Sequence, residues 1–301
     1  MAEGRNARIL RCIRPTHLIT TIVMYLLGTG LVRYLGERLD PLTFIMGLTW
    51  SILLQLGMFN LGDYFQTPFD PGLFDNSEKR QDDVGDNSDK SDLLAYSSVS
   101  FLAGAAVLGI ILGIRGNLNL AVILVMATYF FLHILVVGPG ISLDLSGIGE
   151  FISSIILVII PPVLAYLLQT GEFHRFITLS VFPLFPLNLA LILVMRLKRY
   201  TDDLANQRET LLVRLGWVRG VFIHNLLVFS GFLLFGLSLL FSMPFKLIGP
   251  VFLAIPAGIA IIWYLSSLED GAPVRWPLIT LLSLVVFFLP VYLMTYSVWI
   301  R

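Results

Sequence analysis

PLTFIMGLTWSILLQLGMFNLGDYFQTPFD, residues 41–70, is the stretch on which the fold turns. Residues 41–62 carry no charge, and about 20 helical residues cross the hydrocarbon core of a bilayer. GDYFQTPFD, residues 62–70, then brings two carboxylates, Asp63 and Asp70, to the place where the apolar run meets the membrane surface. A helix continuing past the membrane puts these two acids two turns apart on one face, with Gln66 close to it. Pro68 makes that shared face conditional, because proline kinks or ends a helix.

The rest of the chain repeats the pattern. Of 301 residues, 56% are hydrophobic and 13% charged, and the mean hydropathy is +0.84. A soluble domain holds about one quarter charged residues, so most of this chain faces lipid. Nine apolar spans are predicted at roughly 16–35, 41–62, 93–114, 117–138, 150–169, 174–196, 218–241, 246–267 and 276–298. Lipid offers the backbone no hydrogen-bond partner, and the runs lack the period-2 alternation of a barrel, so the spans are helices. The expected fold is therefore all-α and polytopic, a single domain over 1–301. Pro161-Pro162 in the fifth span and Pro183 and Pro186 in the sixth demand neighbours that satisfy the freed carbonyls. The one cysteine, Cys12, excludes an internal disulfide. Arginines near the N-terminus lead into no cleavable signal sequence.

Lysine and arginine set the orientation. Fourteen of the twenty lie on the N-terminal side and six on the other, which places the N-terminus and the even-numbered loops in the cytoplasm. Two long polar segments share that side, about 63–92 and 197–217. The first holds an acidic run over 75–92, read as a solvated loop without EF-hand spacing. The second contributes Asp202 and Asp203 beside Lys198, Arg199, Arg208 and Arg214. Carboxylates from two helices at one membrane surface suit Mg²⁺, which takes one or two protein carboxylates together with waters and substrate phosphate oxygens. The nearby bases suit the phosphate itself. The plainer reading of each acid alone is a solvated anchor at a span end. His133 and His224 lie within spans; His133 has no predicted carboxylate partner, so a helix-to-helix hydrogen bond is favoured for it over a proton relay, and the same holds for Asn188 and Asn225. No serine-elbow, paired-cysteine, HExxH or phosphate-cradling glycine motif is present, so hydrolase, zinc and nucleotide readings lack support, and no nucleic-acid partner is expected.

GDYFQTPFD resembles the first aspartate-rich motif of the UbiA superfamily of membrane prenyltransferases, usually N-D-x-x-D-x-x-x-D. Asp63, Tyr64 and Asp70 match; Gly62 stands where Asn is usual and Gln66 where the middle Asp is usual. The second polar segment is similar to the family's other motif, above all in the dihydroxynaphthoate branch. TLLVRLG at 210–216, Asp203 and Lys198 fit, whereas Arg199 replaces the first Asp, Gln207 a Gly and Arg208 a Lys. GIGE at 147–150, LLQTG at 167–171 and Arg14-Pro15 extend the likeness over most of the chain.

The resemblance implies nine helices around a central apolar cavity. It also implies transfer of an isoprenoid chain from a prenyl diphosphate to an aromatic or quinone-precursor acceptor, with Mg²⁺ as cofactor and membrane lipids around the protein. Asp63, Asp70 and Asp203 are then the metal-binding candidates, with Gln66 and Asp202 in support. Lys198, Arg199, Arg208 and Arg14 are assigned to the diphosphate. Gln66 supplies no charge and Arg199 adds a positive one, so a second Mg²⁺ would be held weakly. The rival expectation is a relative that has lost catalysis and binds or carries a lipid. A bacterial cell would hold either protein in its inner membrane.

Overall fold

The computed structural model describes residues 15–66, 80–138, 148–205, 210–269 and 273–300, with the side chains of 66, 80–91 and 269 left aside. Nine helical spans in it are long and apolar enough to cross a membrane, and their limits fall within three residues of the expected ones. The protein is all-helical over the described residues.

The first four spans belong to α1 (Pro15–Tyr34), α2 (Pro41–Gln66), α3 (Arg80–Ile114) and α4 (Leu120–Val137). The backbone of α3 is already helical at Arg80, so part of the acidic run expected to be a loop is a helical extension instead. The fifth span is built from α5 (Gly149–Ser154), a π-turn (Ile155–Ile159) and α6 (Ile160–Thr170). Proline clashes with the carbonyl four residues back, which for Pro161 and Pro162 means Leu157 and Val158. The widened turn sits over those carbonyls, and the Ile160 N–H reaches back five residues to the Ile155 carbonyl.

The sixth span breaks between α7 (Arg175–Val181) and α8 (Leu184–Leu197). Pro183 deprives the Leu179 carbonyl of its donor, and the Ser238 hydroxyl supplies one from another helix at 3.1 Å. Pro186 does the same to the Phe182 carbonyl, which accepts from the Phe185 N–H at 3.3 Å. Short helices α9 (Tyr200–Ala205) and α10 (Leu211–Leu215) follow, then α11 (Trp217–Leu240), which carries Ser238. The eighth span runs through α12 (Phe245–Ile248), a 3₁₀ segment (Gly249–Ala254) and α13 (Ile255–Glu269). α14 (Trp276–Trp299) is the ninth.

The fifth and sixth spans form the centre, each 72% buried, while the third is 17% buried and faces outward. α1 packs directly on the fifth span: a Cβ added at Gly28 would lie 2.2 Å from the Pro162 carbonyl oxygen, so only glycine permits that approach. α14 closes against α1 through the Trp299 indole N–H, which donates to the Leu26 carbonyl at 2.9 Å. At the end of the bundle away from the N-terminus, Asp40 ties three loops together. Its carboxylate accepts from Thr43 Oγ1 at 2.5 Å and from Arg115 at 3.1 Å, and its backbone N–H donates to Gln169 at 2.8 Å.

Candidate functional site

Spans that alternate in direction bring the end of α2 and the segment after α8 to the same end of the bundle. Asp63 occupies the last turn of α2 and is half-buried. Asn60 holds that turn to α3 by donating to the Ser97 hydroxyl at 2.9 Å. One residue before Asp63, Gly62 lies against α4, where an added Cβ would be 3.0 Å from the Val137 side chain. Asp203 sits on α9 with 2% of its surface exposed, and its N–H donates to the Arg199 carbonyl at 2.8 Å. Asp202, Lys198 and Arg199 are exposed on the same short stretch.

TLLVRLG has a local structural logic. Thr210 caps α10 by accepting from the Val213 N–H at 3.4 Å. Leu212 fills the space that a Cβ at Gly220 would occupy, 2.2 Å away. Gly216 ends α10 at φ +79°, in the region that favours glycine. The motif thereby anchors the second polar segment onto α11.

Glu150 opens the fifth span with 1% exposure and pairs with Arg196, Nε to Oε1 3.4 Å, at the end of the sixth. This pair, enclosed at Glu150 and half-buried at Arg196, lies close in sequence to Lys198 and Arg199; GIGE was its only trace in the sequence, and it carried no assigned role there. Asp70, Arg208 and Arg14 lie outside the described residues, as does the Gln66 side chain.

Among the described residues, no three acids, histidines or cysteines gather at metal-binding distance. The donor set still suits a hard cation that brings its own phosphate oxygens and waters, because such an ion needs only one or two protein carboxylates. Asp63 and the largely enclosed Asp203 are the described acids of that kind.

Inside the bundle, one turn below Asp63, a pocket of about 20 Å³ is lined by His17, Phe59, His133, Ser153 and aliphatic side chains. A larger recess of about 360 Å³ between the second, third and fourth spans is apolar, walled by Trp50, Leu54 and Leu102. The helix-to-helix bond expected for polar span residues is found at Asn225, which donates to Ser266 at 3.1 Å. His133 instead bonds within its own helix, Nδ1 to the Tyr129 carbonyl at 2.9 Å.

Comparison of the sequence with protein-family models and with curated proteins finds no match. Among solved structures, a UbiA homolog from Archaeoglobus fulgidus, bound to GPP and Mg²⁺, matches with a TM-score of 0.65 at 15% identity. The match covers 97% of this chain and 99% of that one. The protein thus has the polytopic helical membrane fold of the UbiA homologs.

Proposed function

We propose that the protein is a UbiA-type membrane prenyltransferase of a single domain, moving an isoprenoid chain from a prenyl diphosphate to an aromatic or quinone-precursor acceptor. The observation that carries this reading is the end-to-end match to a fold solved with GPP and Mg²⁺. The two polar segments that resemble the superfamily's motifs, with dihydroxynaphthoate-type character in TLLVRLG, support it.

Asp63, Asp70 and Asp203 would hold the magnesium, assisted by Gln66 and Asp202. When bound, the ion neutralises charge on the departing diphosphate. Lys198, Arg199, Arg208 and Arg14 bind the diphosphate oxygens directly, and the arginines grip two oxygens at a time. Arg199 stands in part for the charge that a second ion would bring. The Glu150–Arg196 pair fixes the sixth span beneath these bases, so their positions relative to Asp203 are held. The apolar helices around them take the isoprenoid chain and keep water from the reacting end.

Protein purified in detergent should release product from labelled prenyl diphosphates and phenolic or naphthoate acceptors with Mg²⁺, and none with EDTA. Absence of product from every pair, together with absence of magnesium-dependent diphosphate binding, overturns the reading. A second reading, a repurposed lipid-binding or transport protein, is favoured by one feature: Gln66 and Arg199 replace two motif acids. Isoprenoid binding that is indifferent to Mg²⁺ would select it.

A further inference from the structure

Three spans place their polar residues in two layers just inside Asp63. α2 and α4 run in the same direction, and α1 runs against them. His17, Phe59 and His133 form the upper layer, with ring centroids 5.4 Å apart for the first pair and 6.5 Å for the second. One turn deeper, about 6 Å along the helices, lie Thr21, Gln55 and Tyr129. The Tyr129 hydroxyl lies beside that of Thr21, and Gln55 is wholly buried.

His133 has one arrangement open to it. A backbone carbonyl only accepts, so the ring nitrogen bonded to the Tyr129 carbonyl must carry the hydrogen. In the neutral ring that leaves a bare lone pair on Nε2. This atom has no hydrogen-bond partner among the described residues, although His133 is only 1% exposed. The Gln55 amide is likewise without a partner among them. An unpartnered polar atom in an apolar interior costs about 1–3 kcal/mol, and a membrane span has no bulk water to relieve it. His133 is one of the residues lining the pocket, whose roughly 20 Å³ has room for a single water-sized group such as one hydroxyl.

We propose that His133 Nε2 accepts a hydrogen bond from the hydroxyl of the acceptor ring. Position 133 then selects hydroxylated over O-methylated acceptors. The ligand's identity as the acceptor rests on the prenyl-transfer reading; the hydroxyl site itself does not. Phe59, in the same layer, lines the same pocket, which therefore admits the hydroxyl and not the ring, and the pocket lies a turn from the end where Asp63 stands. Reading the site this way gives the buried imidazole a partner that no side chain described supplies.

The test uses ¹⁵N-histidine-labelled full-length protein in detergent, with neither prenyl diphosphate nor magnesium. His133→Asn identifies the ring signal, and His133→Gln serves if the first variant does not fold. Addition of 1-naphthol should move the Nε2 resonance of His133, and 1-methoxynaphthalene should leave it in place. No movement with naphthol, or equal movement with both, overturns the site. In turnover, the kcat/KM preference for a hydroxylated acceptor over its methyl ether should fall about tenfold or more in His133→Asn. An unchanged preference also overturns it. Naphthol binding without prenyl transfer keeps the hydroxyl site and removes the prenyl-transfer reading; transfer without the naphthol shift does the reverse.

Discussion

Arg199 is exposed at the start of α9, where the superfamily resemblance expects a carboxylate. A guanidinium cannot ligate a metal, and it offers diphosphate a fixed fork of donors instead. Arg199→Asp should therefore lower the magnesium concentration needed for half-maximal diphosphate binding, measured by calorimetric titration; an unchanged titration removes its role as a substitute charge. Asp203, nearly enclosed although Asp202 and Leu204 on either side of it are exposed, should behave differently. Asp203→Asn should reduce prenyl transfer about 100-fold, with the helix content by circular dichroism unchanged. At the far end of the bundle, Asp40 gives the protein an acid limb. The Thr43 hydroxyl chiefly, helped by the Leu42 and Thr43 N–H groups and Arg115, holds its carboxyl below the ordinary value of 3.8, against desolvation, the next largest effect, which opposes it. A lowered folded value means the stabilisation is complete above the unfolded value and vanishes as pH falls through the folded one. Thermal unfolding midpoints compared at pH 5 and pH 3 should fall less in Asp40→Asn than in the parent. The difference is small, because the Asp40–Arg115 pair is exposed.

Glycine 62 gains its meaning from two helices rather than from its own turn. Asparagine, the motif's usual residue, would drive a Cβ to within 3.0 Å of Val137 on α4, so the substitution and the valine belong together. Gly62→Asn alone should destabilise by about 1–3 kcal/mol, and Val137→Ala in the same chain should recover part of that loss. Refolding or thermal-shift measurements in detergent would check the pair. The prolines of the sixth span show the same logic with polar atoms. Ser238 on α11 supplies the donor that Pro183 takes from Leu179, which is how a broken helix survives at membrane depth. Glu150→Gln removes the counter-charge of the partly exposed Arg196 and should cost about 1–3 kcal/mol.

The uneven distribution of lysine and arginine predicts a cytoplasmic N-terminus. Cys12 is the single cysteine, so a membrane-impermeant maleimide should label it only after permeabilisation; labelling of intact cells would reverse the assignment. Span number and span limits were legible along the chain because insertion into lipid is governed locally, by the length and apolarity of each run. The tolerance of Pro183 was foreseen as a requirement, but not its answer, since Ser238 lies 59 residues from the carbonyl it serves. The acidic run after Asp70 was read as loop on composition, and its helical part beginning at Arg80 reflects the continuation of the third span. Of the candidate site, the sequence offered Asp63 and Asp203 near the ends of two even-numbered spans, and so, as spans alternate in direction, at one end of the bundle. The enclosure of Asp203, the Glu150–Arg196 pair and the bare nitrogen of His133 were not legible there. By itself, then, the sequence determined that this is a multi-pass helical membrane protein, because burying backbone in lipid leaves few alternatives and each apolar run states its own case. Only the tertiary structure decided which polar atoms are enclosed and which of those find a partner on another helix. That depends on contacts between helices far apart in the chain, and no local pattern encodes them.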